Sequence, residues 1–133
     1  RRADYAEAER VYRASFEEDA KLLRSGNYAT PQVLEYLSGP LVDPYRAEKA
    51  KQHDAGITGV GGEVRLVYLH PSTQQAQGSD LSLETCADAS SVTGYQYGKS
   101  LGAGSVVKGH AYLKRVGGSL KIWWRDGEVV KAC

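Results

Sequence analysis

Hydrophobic and polar residues alternate on both sides of Gly117-Gly118, which predicts a β-hairpin near the C-terminal end of the sequence. Residues 106–116 and 119–125 form the two alternating runs. Two glycines suit the turn because both can adopt positive φ without steric cost. A two-residue turn sets the opposed pairs as Val116 with Ser119, Leu113 with Ile122, Tyr112 with Trp123, and Ala111 with Trp124. Opposed residues share a face, so this register assigns each side chain to one of two surfaces.

The predicted hairpin has one apolar face and one mostly polar face. The apolar face, which we assign to the core, comprises Ala111, Leu113, Arg115, Leu120, Ile122 and Trp124. The polar face comprises His110, Tyr112, Lys114, Val116, Ser119, Lys121, Trp123 and Arg125. Aromatic residues on a solvated sheet face commonly mark an interface. Tyr112 and Trp123 are therefore candidate interface residues, with ordinary cross-strand packing at a monomer surface as the alternative.

The first part of the chain has helical periodicity. Residues 3–25 carry an apolar stripe at helical spacing, and Gly26 is a natural helix stop. Asp19 points toward the middle of this stripe, where a charge needs a partner or a water-filled cavity. The sequence therefore predicts a long amphipathic first helix with one carboxylate on its buried side.

Two shorter helices are expected next. Thr30 can cap a helix and Pro31 suits a first turn, which predicts a short helix over 30–37. Asp43-Pro44 repeats the signal and predicts a third helix over 44–54.

The periodicity changes after Gly56. Alternating residues predict strands at 64–70 and 81–88, ahead of the hairpin. We expect a polar loop at 71–79 and a mobile, glycine-rich excursion at 91–104. Helices followed by an antiparallel meander predict an α+β fold, with N-terminal helices packed on a sheet of about four strands. The expected organisation is one domain over residues 1–133, with a helical part at 3–55 and a sheet part at 57–133.

Composition and charge exclude several classes of function. The chain of 133 residues has a net charge of +1 and no block of like charges, which argues against nucleic acid as a partner. No run approaches the length of a membrane span. The three histidines lack ligand spacing, and no glycine-rich stretch fits a nucleotide loop, so we expect no metal and no cofactor.

Two cysteines, Cys86 and Cys133, indicate either one disulfide or two free thiols. A disulfide would suggest an oxidising, extracytoplasmic setting, whether secreted or anchored at the cell surface. The sequence contains no methionine and begins at Arg1, as a processed or trimmed product would. A targeting segment or N-terminal anchor would then have been removed.

Several short motifs, taken in order, resemble one family. They are Tyr12 and Phe16 in the first helix, the run 36–40, the Gly56 to Gly59 entry, the run 85–90, the run 116–122, and Cys133. In this order they resemble the NTF2-like superfamily of SnoaL-like, cystatin-like α+β cones, in particular its small secreted and lipoprotein members of actinomycete type. The resemblance implies a curved sheet that wraps the first helix around a conical ligand pocket, with Cys86 paired to Cys133. A homodimer that pairs through the sheet face is a further implication of the resemblance.

The candidate pocket residues are Tyr12, Phe16, Asp19, Tyr36 and Trp124. The resemblance implies that a buried carboxylate such as Asp19 could act as a catalytic base. The structural alternative, which we favour, is an ion pair or a hydrogen bond to a tyrosine, with Arg115 as the partner of the ion pair if the two ends meet. Two further polar residues receive structural interpretations. Asp88 is expected to cap the turn after its strand, and His110 to be exposed to solvent rather than catalytic.

Three functions remain open. The leading hypothesis is a non-enzymatic extracytoplasmic domain that binds a protein partner or a small apolar ligand. The alternatives are a SnoaL-like isomerase, cyclase or hydrolase that uses Asp19 with Tyr12 or Tyr36, and a VirB8-like accessory domain of a secretion or conjugation apparatus. A deep pocket around an Asp19 that lacks a cationic partner would favour the enzyme, whereas a salt-bridged Asp19 would favour binding or assembly.

Overall fold

The computed structural model describes residues 2–28 and 31–133. Its helices are α1 (Arg2–Ser25), two 3-10 helices (Gln32–Tyr36 and Gly39–Leu41) and α2 (Val42–Asp54). Its strands are β1 (Ile57–Val60), β2 (Arg65–Ser72), β3 (Leu81–Asp88), β4 (Thr93–Gln96), β5 (Lys99–Ala103), β6 (Val106–Val116) and β7 (Ser119–Val130). The α+β class is confirmed. The predicted helix at 30–37 is a 3-10 helix, and its predicted cap, Thr30, lies outside the described residues.

The strands form two antiparallel sheets. The larger has four strands in the order β2-β3-β6-β7, and the smaller has three in the order β1-β4-β5. The smaller sheet corrects the prediction for 91–104, which is a strand pair rather than a mobile excursion. The two turn residues of this strand pair, Tyr97 and Gly98, both have positive φ. Because only one of them is glycine, the glycine content of the segment did not indicate a hairpin turn.

The core lies between α1 and the larger sheet. Ala8 of α1 and Leu113 and Ile122 of the hairpin are completely buried. The hairpin turns at Gly117-Gly118, and Leu113 pairs with Ile122 as predicted. The apolar face next to the turn therefore packs against the helix as the alternation indicated.

A β-bulge at Trp123 changes the predicted register. Tyr112 pairs with Trp124 rather than with Trp123, and Ala111 pairs with Arg125. An extra residue in one strand moves the following side chains to the opposite faces, because side chains alternate along a strand. Arg125 consequently shares the helix side of the sheet with Ala111, which corrects its assignment to the polar face.

Tyr112 is 1% exposed, so its predicted solvent-facing position is wrong. Its hydroxyl donates to Asp126 Oδ2 at 2.7 Å. Burial, with this bond and the charge of Asp126, raises the pKa of Tyr112 to about 12. The segment 73–78 reaches over this face, where Trp123 Nε1 donates to the carbonyl oxygen of Gln77 at 2.8 Å. Tyr112 is therefore buried within the chain and Trp123 is partly exposed, and the homodimer through this face stays a prediction.

Arg115 is also placed differently from the prediction. Its guanidinium contacts Asp4 at 2.9 Å and Glu7 at 3.1 Å, near the start of α1. Asp19 is about 18 Å farther along the helix than Glu7, given a rise of about 1.5 Å per residue. The predicted bridge between Asp19 and Arg115 is therefore wrong, because the hairpin turn lies against the opposite end of α1.

Cys86 and Cys133 form a disulfide, as predicted, which ties the last residue to β3. Cys86 is completely buried, whereas Cys133 is exposed. Within the described residues, no helix combines the length and the apolar character needed to cross a membrane.

Replacing Gly39 with alanine is expected to destabilise the protein, because a Cβ there would lie 2.5 Å from the Trp123 ring. Gly39 also has a φ of +65°, which alone costs an L-residue about 1–2 kcal/mol. Gly61→Ala is the matched control, since its φ is +74° and its Cβ would have no neighbour within 4 Å. Urea unfolding should place Gly39→Ala at least about 1 kcal/mol below Gly61→Ala. Equal losses would show that Trp123 does not pack on Gly39.

Candidate functional site: a cleft between the helices and the larger sheet

Two adjoining hollows lie between α1, α2 and the end of the larger sheet distant from the Gly117-Gly118 turn. We call the hollow that Asp19 lines the inner hollow and the one that His110 lines the outer hollow. Their volumes are about 390 Å³ and about 500 Å³. They share the lining residues Tyr12, Glu48, Val107 and Arg125, and we call the two together the cleft. The combined space suits a small-molecule ligand, for which pockets of about 300–1,000 Å³ are typical.

Asp19 lines the inner hollow and contacts three other polar side chains. Its Oδ1 accepts a hydrogen bond from the Tyr45 hydroxyl at 2.7 Å and lies 3.8 Å from Lys49 Nζ. Its Oδ2 accepts from Arg125 at 3.4 Å. Both carboxylate oxygens are thus engaged, and Asp19 faces two cations.

Lys49 is the unusual member of this cluster because it is only 9% exposed. Its ammonium lies 5.0 Å from the centre of the Tyr45 ring and 5.8 Å from that of Tyr28, and it donates to Gln52 Oε1 at 3.0 Å. The faces of aromatic rings attract cations, so the two tyrosines help to hold the charge in a partly dry site. Arg125 lies 5.3 Å from the Tyr45 ring centre and adds a second such contact.

The tyrosines around Asp19 are held in their protonated form. Burial, together with the charge and hydrogen bond of Asp19, raises the pKa of Tyr45. Burial also raises the pKa of Tyr28 and Tyr12, and the charge of Asp19 adds to each shift. A tyrosine hydroxyl is protonated at neutral pH even without these shifts, which extend the protonated form to higher pH.

Three of the five predicted pocket residues lie together. Tyr12, Phe16 and Asp19 line the inner hollow from α1. Trp124 instead packs against the core, and Tyr36 belongs to the first 3-10 helix; neither lines the inner or the outer hollow. Helical spacing on α1 was a reliable signal for the first three, whereas the position of Trp124 depends on the bulge.

Four residues of the cluster were missed in the sequence analysis. They are Tyr28, Tyr45, Lys49 and Arg125. Tyr45 and Lys49 are four residues apart on α2, so they share one face of the helix, which offered a usable signal. No comparable signal existed for Arg125, whose direction is set by the bulge, or for Tyr28, which follows α1 in an irregular segment.

The other polar candidates lie outside the inner hollow. His110 borders the outer hollow and its Nδ1 is 3.2 Å from Asp126 Oδ1. Asp88 accepts from the backbone N–H of Ser90 at 2.8 Å, which is the predicted turn contact. Hydrogen bonds from Ser90, and then from Arg65, lower the pKa of Asp88. In the described part of the chain, no group of three histidine, cysteine or acidic residues could hold a metal ion.

Comparisons with protein-family models, curated proteins and solved structures returned no significant match to this chain. The functional argument therefore depends on the geometry of the cleft.

Proposed function

We propose that this chain is a non-enzymatic binding domain whose cleft holds a small ligand with an apolar body. The observation that carries the proposal is the ion pairing of Asp19. Asp19 accepts a hydrogen bond from Tyr45 and is paired with both Lys49 and Arg125. These three partners come from α2 and β7, so we assign Asp19 the role of a structural anchor that joins them to α1.

The lining of the cleft supports an apolar ligand body. Phe16, Leu23, Val64 and Val107 contribute apolar surface to the inner hollow, and Val129 extends it along the outer hollow. Val107 and Val129 are 39% and 72% exposed. A ligand lying against them would remove apolar surface from water, which stabilises a complex by roughly 25 cal/mol per Å².

An extracytoplasmic location is part of the same proposal. The disulfide between Cys86 and Cys133 supports it, because such bonds persist in oxidising compartments. Membership of the NTF2-like superfamily is proposed on the motifs given above, and a cleft between the first helix and the sheet is what that resemblance implies.

The test uses the neutral apolar dye N-phenyl-1-naphthylamine, whose fluorescence rises on transfer from water to an apolar site. We expect saturable binding by the full chain, weakened at least about tenfold by Val107→Trp, which would fill the boundary between the two hollows. Val67→Trp is the matched control, since Val67 is 44% exposed on β2 and lines neither hollow. Absence of dye binding, or an equal effect of both substitutions, would contradict the proposal.

A further inference from the structure

One edge of the larger sheet is β7, and the two halves of this strand differ. In the first half, Leu37 pairs in parallel with Ile122, and the backbone N–H of Ser38 donates to the Ile122 carbonyl oxygen at 3.0 Å. The chain thus adds a short strand of its own to this edge. In the second half, residues 125–130 pair with β6 and with no other described segment. About 20 Å of strand edge therefore carries unpaired backbone groups, given a rise of about 3.4 Å per residue.

This second half is open to solvent. Residues 126–129 are all exposed, and Gly127 has no side chain to shield its backbone. Val129 is 72% exposed. The opposite edge of the sheet, β2, is interrupted by a bulge at Val67 and by Pro71, which lacks a backbone N–H. β7 is therefore the edge of this sheet that a further strand can join.

The outer face of the open stretch, which is turned away from α1, carries two carboxylates. Asp126 and Glu128 are two residues apart and therefore point to the same face. Asp126 accepts hydrogen bonds from the Tyr112 hydroxyl at 2.7 Å and from the backbone N–H of His110 at 2.9 Å. Glu128 forms no salt bridge with any other described residue. The face is therefore negative where a further strand would pair.

The positive side chains near this stretch have other partners or lie beyond it. The Lys108 ammonium lies 3.8 Å from Glu84 Oε2. Arg125 is on the helix side of the sheet, where it contacts Asp19 at 3.4 Å. Lys131 follows the last residue of β7. The carboxylates of the open stretch therefore remain accessible to the cations of a partner.

The same charges disfavour a second copy of this chain at the edge. Antiparallel pairing of two copies centred on Gly127 would place Asp126 opposite Glu128 twice. Pairing centred on Glu128 would place that residue opposite itself. Directly opposed like charges are destabilising. The open stretch therefore suits a partner strand of opposite charge.

We propose that the second half of β7 binds an extended peptide in which basic and apolar residues alternate, and that this peptide adds a fifth strand to the larger sheet. Its basic side chains lie opposite Asp126 and Glu128, and its apolar side chains lie against Val129 on the helix side. In this mode of recognition, main-chain hydrogen bonds supply affinity and the alternating side chains supply specificity. The inference goes beyond the proposed small-ligand function and does not depend on it, so failure of the dye to bind would leave it standing.

The test is fluorescence polarisation at pH 7.5 with a fluorescein-labelled peptide of three Val-Lys repeats. We expect saturable binding by the full chain. The matched peptide with glutamate in place of lysine should bind at least about tenfold more weakly, because its charges oppose those of the strand. Failure of the lysine peptide to bind, or equal binding of the two peptides, would overturn the proposal.

Two further peptides test whether the partner binds as a strand. One carries N-methyl groups on its valines and the other on its lysines. Successive residues of a strand direct their N–H groups to opposite edges. One of the two should therefore bind as the unmethylated peptide does, and the other at least about tenfold more weakly. Equal effects of the two methylation patterns would overturn the proposal.

Glu128→Lys tests the surface on the protein. We expect it to weaken binding of the lysine peptide about fivefold or more, because an attraction becomes a repulsion. Glu63→Lys is the matched control, since it makes the same change in net charge at an exposed residue outside both sheets. Both side chains are exposed, so the melting temperatures should stay close to that of the wild type. Equal weakening by the two substitutions, or a dimer of the chain that the peptide dissociates, would overturn the assignment of a peptide partner to this edge.

Discussion

Replacing Cys133 with serine is expected to lower the free energy of unfolding by about 4 kcal/mol, the loop-closure entropy of a cross-link of this length. The bond joins residues 47 positions apart in the sequence. Cys133 is exposed, so the substitution leaves the packing of the core unchanged. For a chain of this size, we expect the melting temperature to fall by roughly 15 °C. Thermal unfolding of the two proteins under non-reducing conditions measures the effect.

Two comparisons isolate the bond from the substitution. Reduced wild-type protein should have the same melting temperature as Cys133→Ser. Ala132→Ser, which changes the neighbouring exposed residue, should have the same melting temperature as oxidised wild-type protein. Titration of the denatured, unreduced wild-type protein should find no free thiol. Two free thiols, or equal stability of oxidised wild type and Cys133→Ser, would contradict the prediction and remove the main support for an extracytoplasmic location.

Replacing Asp19 with asparagine is expected to cost about 2–3 kcal/mol of stability, the second-largest effect that we predict. The change removes the anion shared by Lys49 and Arg125 and keeps the volume of the side chain. Breaking a buried pair costs about 3–5 kcal/mol, because a charge is left without compensation. We reduce that value because the Asp19 and Arg125 side chains are 25% and 30% exposed. Urea unfolding at pH 7 measures the loss.

A double-mutant cycle tests whether the loss of stability comes from a cation that Asp19→Asn leaves without a counterion. Lys49→Met keeps the length of the side chain and removes its charge, so the double variant Asp19→Asn, Lys49→Met should recover at least about 1 kcal/mol relative to additive losses. Glu18→Gln, also on α1, is the control. Its partner Lys21 is 72% exposed, and pairs of this kind contribute little. Strict additivity of Asp19→Asn and Lys49→Met would show that the two residues are not coupled.

The same cluster separates the binding proposal from the enzymatic alternative. A catalytic Asp19 would need to abstract a proton, and replacing it would abolish activity without a large effect on folding. In the observed geometry, its oxygens instead hold α2 and β7 against α1 through Tyr45, Lys49 and Arg125. Its loss should therefore appear first as lost stability.

Local patterns predicted the hairpin and first helix well because their physical causes are local. Gly117-Gly118 sets a turn whatever surrounds it, and helical spacing placed Tyr12, Phe16 and Asp19 on one side of α1. The same reasoning failed for 91–104. In that segment β4 pairs with β1, more than thirty residues earlier in the chain, and β5 pairs with β4. Local glycine content carries no information about such a partner.

The sequence by itself determined the α+β order, the helix-facing side of the hairpin near its turn, and the location of one carboxylate on the buried side of α1. Only the tertiary structure decided which cations that carboxylate meets. The bulge at Trp123 turns Arg125 toward the helix, and the docking of α2 brings in Lys49. Alternation and helical periodicity specify a face relative to its own element. Which side chains meet between two elements depends instead on the bulge, which adds one residue to a strand, and on packing between distant parts of the chain.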